Sequence, residues 1–343
     1  MQNYKKIHVI VKDQIASIGR HIFQMLGRYE SIGRKNLEVR QTYTLDLKGD
    51  MPPQRRCVYK IQPPEQEMCG GLMYTPQGIA IKKGKIIERF SIRRPSLLEL
   101  VKLPNLKDFG EVPTGTILQS QTPYTYGDWV GDFLHSIATA QSIVEPIILP
   151  NYLADKSYVK RDLEKIGINY IVCRTPIKIN TAYILRKKLP SYYWNRQDVK
   201  KFREKFSIEP PEVNRGSITY LARFDTCGEA VYRHYPSSEI AKYVLSLGGH
   251  VCDTRYATPE DYEKISSNVE TVIADQGSAI FNVVRWNSKH VIELTNRNWW
   301  HNSSLFFSKS SGVVNYSVIS IDKLNYKDIE EKIEHFLANH STC

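Results

Sequence analysis

The chain has 343 residues, of which 41% are hydrophobic and 24% charged, and its formal net charge is +11. This composition is ordinary for a globular protein, and the sequence contains no run of about 18 uncharged apolar residues that would cross a bilayer. We therefore expect a soluble chain, and its length favours two domains that each bury a core of their own.

The first hundred residues alternate short apolar segments with turn residues, which is typical of β-strands. The N-terminal segment, MQNYKKIHVIVKDQ, has too short an apolar stretch for a signal peptide and is predicted as a first strand. The sequences TPQG at 75–78 and KKG at 82–84 are turn signals between stretches of period two. This pattern predicts a β-rich N-terminal extension with at least one hairpin.

From residue 127 onward, helical and strand patterns alternate. The run GDWVGDFLHSIATAQSIV predicts a helix because apolar residues recur at spacings of three and four. It is followed by a buried strand (EPIILP), a charged helix closed by Gly167 (SYVKRDLEKIGI) and another apolar strand (NYIVCR). This order predicts an α/β unit with a parallel sheet.

A polar, proline-containing stretch at 186–216 is the predicted domain junction, which gives an N-terminal domain at 1–195 and a C-terminal domain at 196–343. The second half alternates strands and helices at every step, in the order SITYLARF, PSSEIAKYVLSLGG, HVCD, TPEDYEKISSN, ETVIADQG, SAIFNVVRWN and HVIEL. Such alternation predicts a doubly wound parallel sheet, as in Rossmann-like domains.

Two groups in this half are candidates for binding phosphate, because ligands of an open parallel sheet collect at the carboxyl ends of its strands. Arg223 follows one strand and Arg233 lies ten residues further on, so the two guanidinium groups could clamp a diphosphate. The alternative is a pair of surface arginines. In ADQGSAIFN at 274–282, Gly277 allows close backbone approach and Ser278 can cap a helix whose N–H groups face a phosphate.

Carboxylates supply the remaining candidates. Glu293 is interpreted as the end of the apolar strand in HVIEL, where it could accept hydrogen bonds from both hydroxyls of a ribose or be a plain strand-end charge. Asp128, Asp132 and His135 share one face of the helix that starts near Gly127. They are interpreted as a general base with supporting partners, although an aspartate in a first helical turn also complements the helix dipole.

The chain resembles glycosyltransferase family 61 in two regions, which cover about residues 70–310. The N-terminal hallmark of that family is an aromatic stretch with a histidine followed four residues later by aspartate. The segment YTYGDWVGDFL keeps the aromatic residues, Trp129 and Asp132, and Asp128 stands where the histidine is expected.

The C-terminal hallmark begins with a strand that ends in Ser-Arg and has a second arginine about ten residues later. LARF and Arg233 match it, with Ala222 in place of the serine. The glycine-rich run that follows in the family is matched by ADQGSAIFN, and HVIEL supplies the strand with glutamate. The residues matched in these two segments are Gly277, Ser278, Asn282 and Glu293, while Gln276 replaces a histidine.

This resemblance implies a GT-B-like fold of two facing Rossmann-like domains and an inverting, metal-independent transfer from a nucleoside diphosphate sugar to a glycan hydroxyl. Asp128 is the expected base, with Asp132 as the alternative. Arg223, Arg233 and the segment from Asp275 to Ser278 are expected to bind the donor. No cofactor and no metal are expected, because no Asp-x-Asp pair ends a strand in the donor half. Trp299 and Trp300 are candidates for stacking or for buried packing.

Other functions remain open at this point. A nicotinamide-dependent oxidoreductase would share the sheet, but no G-x-G-x-x-G turn is present. A nucleic-acid-binding protein would suit the charge but lacks a recognition motif, so no nucleic-acid partner is expected. A catalytically inactive member of the family is the third alternative, since two histidines are replaced.

The basic segments at 81–94 and 184–206 predict solvated faces or, as the alternative, peripheral docking on an anionic membrane. The six cysteines lack the spacing of zinc or disulfide sites, which favours a reducing cytoplasm.

Overall fold

The computed structural model describes residues 64–88, 91, 95–96, 98–99, 109–120, 125–187, 192–209, 215–224, 235–266, 269–296, 300, 303–322 and 325–340. Strands at 29–30, 39–45 and 54–59 are described by their backbone pairing alone. The strand predicted at residues 1–14 lies outside the described residues, as do Arg233 and Trp299.

The chain divides into two units, and both are built from more than one segment. The first comprises Met1–Asn36, Gln62–Tyr124 and Ala140–Lys188, and the second comprises Leu37–Ile61, Thr125–Thr139 and Leu189–Cys343. The last crossing, at Leu189, lies near the boundary expected at residue 195. The helix that carries Asp128 nevertheless belongs to the second unit, whereas we expected it in the N-terminal domain. The reason is packing, because its neighbours are a helix at 196–205 and a short helix at 278–284.

The first unit contains a mixed sheet of eight strands in the order β1-β6-β5-β4-β10-β7-β8-β9. Its strands are β1 (Tyr29–Glu30), β4 (Glu65–Tyr74), β5 (Ala80–Lys82), β6 (Lys85–Ile87), β7 (Gly110–Gln119), β8 (Ile147–Pro150), β9 (Tyr170–Cys173) and β10 (Ile177–Arg186). The strands β2 (Val39–Leu45) and β3 (Gln54–Tyr59) pair with each other and belong to the second unit. The parallel pairing predicted for the strand-helix-strand unit is confirmed, since β8 runs parallel to β7 and to β9, but the sheet as a whole is mixed. β10 runs parallel to β7 but antiparallel to β4, so it joins the parallel strands to the N-terminal hairpin strands.

The predicted hairpin is confirmed between β5 and β6. Lys83 and Gly84 form its two-residue turn and both have positive φ, 49° and 70°. This is the backbone of a type I′ turn, whose twist matches that of the flanking strands. Helices α2 (Asn151–Ala154) and α3 (Ser157–Lys165) follow β8, and Gly167 ends α3 with a φ of 65°.

The second unit has a five-stranded sheet in the order β12-β11-β13-β14-β15, and all its strands are parallel. The doubly wound parallel sheet is thus confirmed, and the α/β class of the chain with it. The strands are β11 (Ile218–Ala222), β12 (His250–Asp253), β13 (Thr271–Asp275), β14 (His290–Thr295) and β15 (Asn315–Ser320). Buried aliphatic and aromatic side chains of β11, β13 and β14 form the core with those of the covering helices.

The helices of this unit start with α1, a composite of α-helical Tyr126–Asp128, π-helical Trp129–Leu134 and α-helical His135–Thr139. The others are α4 (Arg196–Lys205), α5 (Ser237–Ser246), α6 (Pro259–Ser266), α7 (Ser303–Ser311) and α8 (Tyr326–His340). The helix predicted after β13 is a 3₁₀ helix, Ser278–Val284. Across the described part of both units, no helix has the length and apolar character to span a membrane.

Candidate functional site

The order of the parallel strands places a crevice between β11 and β13. From β11 the chain goes outward to β12 and then crosses back to β13 on the other side of β11. Ligands of such sheets bind at the carboxyl ends of the strands where the winding reverses. Arg223 directly follows β11, and Gly277 lies two residues after β13; a Cβ placed on Gly277 would lie 3.6 Å from Nη1 of Arg223. Two of the predicted phosphate-binding groups therefore meet at this point.

Asp275 lies beneath the crevice. Its buried carboxylate accepts hydrogen bonds from the Tyr220 hydroxyl at 2.7 Å, the Arg223 amide at 2.7 Å and the Ser237 hydroxyl at 2.8 Å. Burial raises the pKa of Asp275 to about 6, although these donors and the Arg223 charge lower it. The residue fastens the ends of β11 and β13 to the start of α5, so it shapes the crevice from within.

Gln276 is also held from inside the fold. Its side-chain Oε1 accepts a hydrogen bond from the Thr295 hydroxyl at 2.5 Å, and its amide donates to the Leu294 carbonyl at 2.9 Å. Ser278 does not cap the following helix as we expected. Gly277 precedes that helix, and no side chain caps it.

Glu293 lies inside β14 and not at its end, because the strand continues to Thr295. It is fully buried and accepts hydrogen bonds from Trp300 Nε1 at 3.1 Å, the Ser304 hydroxyl at 2.9 Å and the Tyr316 hydroxyl at 2.7 Å. Burial raises the pKa of this carboxyl. In this arrangement Glu293 is not accessible to a ribose, and Trp300 packs in the core where it holds Glu293.

Helix α1 brings the other candidate segment to the same unit. The hydroxyl of Tyr126 donates to Oδ1 of Asn282 at 2.7 Å. At Gly127 the two helices approach so closely that a Cβ would lie 3.0 Å from Phe281 Cε2 and 3.2 Å from Ser278 Oγ. Segments about 150 residues apart in sequence therefore pack directly, and a side chain at residue 127 would force Phe281 or Ser278 to shift.

Asp128 is buried at the start of α1 as part of a capping box. Its Oδ2 accepts from the amide and the hydroxyl of Thr125, at 2.9 and 2.8 Å, and its Oδ1 accepts from the Tyr192 hydroxyl at 2.8 Å. Burial raises the pKa of Tyr192, and the charges of Asp128 and Asp132 raise it further, so the phenol stays protonated and donates.

Tyr192 has a φ of 62°, which is unfavourable for a bulky residue, and its ring stacks on Phe281 with centroids 4.6 Å apart. The fold thus holds a strained backbone next to Asp128.

Asp132 and His135 follow on α1. Asp132 is buried in the π-helical segment, a local geometry that is frequent at functional sites. His135 is also buried, and its Nε2 lies 3.1 Å from Oδ2 of Asp198, which completes the capping box at the start of α4. Trp194 packs edge-on against the imidazole at 5.1 Å. His135 therefore fastens α1 to α4.

Sequence reasoning missed the carboxyl end of β12. Asp253 ends this strand, its side chain is 25% exposed, and Arg255 donates to both of its oxygens, at 3.1 and 2.7 Å. The hydrogen bond from Arg255 holds the pKa of Asp253 below its usual range. The strand-end argument that was applied to HVIEL would also have found the aspartate of HVCD.

The fold and this crevice define the second unit as an α/β domain with a doubly wound parallel sheet and polar groups gathered at its switch point. No protein-family model and no curated protein matches the chain. Among the residues that the structure describes, no group of three His, Cys, Asp or Glu side chains is arranged to hold a metal ion. The thiols of Cys69, Cys173 and Cys252 are free and buried.

Proposed function

We propose that the chain is an inverting glycosyltransferase that moves a sugar from a nucleoside diphosphate sugar to a hydroxyl of a glycan acceptor. The observation that supports this most is the meeting of Arg223 and Gly277 at the switch point of a parallel sheet, with α1 packed on the helix that follows Gly277. A GT-B-like pair of Rossmann-like domains is part of the proposal. The parallel sheet of the second unit supports the donor-binding domain of that pair.

Arg223 is the group that neutralises the leaving diphosphate. As the bond between the anomeric carbon and the diphosphate breaks, negative charge grows on the departing oxygen, and a fixed guanidinium stabilises that charge. The sugar is transferred with inversion because the acceptor oxygen attacks from the opposite face.

Asp128 is the base that takes the proton of the acceptor hydroxyl. Thr125 and Tyr192 orient its two oxygens, as a third group commonly orients a catalytic base. Because Asp128 is buried and accepts three hydrogen bonds, the acceptor hydroxyl has to replace one of these donors when it reaches the carboxylate. Asp132, one turn further along α1, is the second candidate. A general base contributes roughly 10²–10⁴-fold to a rate, so the two aspartates can be told apart by substitution.

The test is a panel of nucleoside diphosphate sugars with release of the nucleoside diphosphate as the readout. We expect Arg223→Ala to lower kcat/KM by about 10²-fold or more, whereas Arg196→Ala, an exposed arginine at the start of α4, leaves it unchanged. Asp128→Asn should abolish transfer while nucleotide binding stays measurable. If Asp132→Asn alone abolishes transfer, Asp132 is the base.

The same panel includes nicotinamide dinucleotides. Binding of these cofactors without binding of any nucleotide sugar would replace the proposal with an oxidoreductase. Binding of neither class by the wild-type protein would refute a nucleotide-dependent function.

A further inference from the structure

We infer that the nucleoside half of the donor is bound at the carboxyl end of β12, where Asp253 accepts hydrogen bonds from the ribose hydroxyls and the base lies against the rings of Tyr126 and Tyr262. This inference rests on the proposed function and names the part of the donor that each side of the crevice takes.

The carboxylates near the ends of β12, β13 and β14 differ in their exposure to solvent. Asp275 and Glu293 are buried, and each already accepts three hydrogen bonds from the protein. Asp253 also accepts three hydrogen bonds, all from Arg255 (its amide, Nε and Nη2), but its side chain is 25% exposed, so its remaining lone pair sites are open to a ligand. An ionised carboxylate only accepts hydrogen bonds and repels phosphate, so it suits the hydroxyl groups of a ribose.

Asp253 and Arg223 lie at the carboxyl ends of two neighbouring strands, β12 and β11. Ala222 of β11 pairs with Asp253 of β12, and the amide and hydroxyl of Thr254 both donate to the Ala222 carbonyl, at 2.9 and 3.0 Å. Neighbouring strands lie about 4.8 Å apart. Arg223 is the residue after Ala222, so it lies one position beyond the partner of Asp253 on the neighbouring strand. In a nucleotide the ribose is joined directly to the first phosphate, and this spacing accommodates both.

A pair of parallel aromatic rings is assigned to the base, and one of them, Tyr262, lies on α6, the helix that follows β12 in the chain. The rings of Tyr126 and Tyr262 are parallel within 5°, with centroids 6.5 Å apart. Tyr192 and Phe281, by contrast, are in direct stacking contact at 4.6 Å. Burial raises the pKa of Tyr262, and the charges of Cys252, Tyr126 and Asp253 raise it further.

Asp253 also lines a cavity large enough for a small ligand. A cavity of about 560 Å³ lies along β12, and its lining includes Asp253, Tyr256 and Asp261. Small-molecule sites usually enclose about 300–1,000 Å³, so a ribose at Asp253 has room in this cavity. Tyr126 and Tyr262 are not among its lining residues, so the base has to extend beyond the cavity to reach their rings. Aromatic faces hold bases of any sequence through stacking, which contributes about 1–3 kcal/mol per base in nucleic-acid complexes.

The test is calorimetric titration of the full chain with UDP, GDP and ADP, with their 2′-deoxy counterparts and with inorganic pyrophosphate. We expect the ribonucleotide to bind about 10-fold or more tightly than its 2′-deoxy form, as a hydrogen bond to a charged group would give. Asp253→Asn should bring the two affinities within about 3-fold of each other. Asp261→Asn, which changes a carboxylate in the same cavity, should keep the wild-type preference.

The aromatic part is tested in the same titrations. Tyr262→Leu should weaken nucleotide binding about tenfold and leave pyrophosphate binding unchanged, while Tyr262→Phe, which keeps the ring, binds like the wild type. Arg223→Ala should weaken both ligands.

A ribose preference that survives in Asp253→Asn, or a nucleotide affinity of Tyr262→Leu equal to that of the wild type, overturns this inference and leaves the proposed function standing. A wild-type protein that binds no nucleoside diphosphate overturns both.

Discussion

Asp253 on β12 and the pair Asp275 and Glu293 on β13 and β14 are carboxylates near the same edge of one sheet, yet their surroundings are opposite. Asp275 and Glu293 are buried and accept three hydrogen bonds each, so they fasten neighbouring elements together. Asp253 is partly exposed beside Arg255. Each of the three carboxylates accepts three hydrogen bonds, so the difference lies in burial and in the source of the donors. Asp275 and Glu293 are buried and held by several residues of other elements, whereas all three donors to Asp253 belong to Arg255, two residues further along the chain.

The largest expected effect that tests this comparison is on stability. Glu293→Ala leaves the Trp300 indole, the Ser304 hydroxyl and the Tyr316 hydroxyl without their acceptor and opens a cavity. We expect the free energy of unfolding to fall by about 3–5 kcal/mol, since unsatisfied buried donors and lost packing both contribute. Equilibrium unfolding in urea measures it.

The matched control is Asp253→Ala. Because this carboxylate is partly exposed and its partner Arg255 can be solvated, we expect a loss of less than about 1 kcal/mol. Equal losses in the two variants would show that the division between structural and ligand-facing carboxylates is wrong.

A smaller effect concerns pH. Burial raises the folded-state pKa of Asp275 from 3.8 to about 6, so the folded protein binds a proton more readily than the unfolded chain. The resulting stability is fully present below pH 3.8 and is lost as the pH rises through about 6. Between pH 5 and 7.5 the wild type should lose roughly 1 kcal/mol relative to Asp275→Asn, which cannot titrate.

Asp253 should show the opposite sign. Its folded-state pKa is lowered, so its contribution to stability is present above the unfolded-state pKa and is lost as the pH falls through the folded-state value. Unfolding curves of the wild type and of Asp253→Asn should therefore diverge only in acid.

The prediction for Asp275 has its own contrary result. If the stability of Asp275→Asn and that of the wild type depend on pH in the same way between pH 5 and 7.5, Asp275 is not buried as described.

The sequence predicted the parallel sheet of the second unit because each of its strands is a short apolar run between a helix and a turn. It did not predict β10 (Ile177–Arg186), whose pairing with β4 and β7 involves segments far apart in the chain. The packing of α1 in the second unit was missed for the same reason. Local patterns carry no signal for long-range contacts.

The candidate site was predicted in part. Arg223 and Gly277 were identified from two separate strand ends, and the structure places them together. Glu293 was misread as a strand end because its charge interrupts the apolar residues of HVIEL, whereas β14 continues to Thr295. Asp253 was overlooked because HVCD is a short strand of only four residues.

The smallest expected effect on stability is at Gly277, which lies two residues after the buried Asp275 and faces the crevice. Its φ is 168°, an extended backbone that any residue adopts, and an added Cβ would meet nothing closer than Arg223 Nη1 at 3.6 Å. Gly277→Ala should therefore change the free energy of unfolding by less than about 0.5 kcal/mol. At Gly131, where a Cβ would lie 2.6 Å from Tyr192 Cδ1, the same substitution should destabilise the protein clearly.

Binding then separates the two roles at the end of β13. If phosphates approach the backbone beside Arg223, the methyl group of Gly277→Ala occupies part of their path, and the affinity for a nucleoside diphosphate falls several-fold in a protein of normal stability. An affinity equal to that of the wild type would place the phosphates away from Gly277. Arg223 alone would then remain as the anion-binding group of this crevice, and the switch point would lose one of its two assigned contacts.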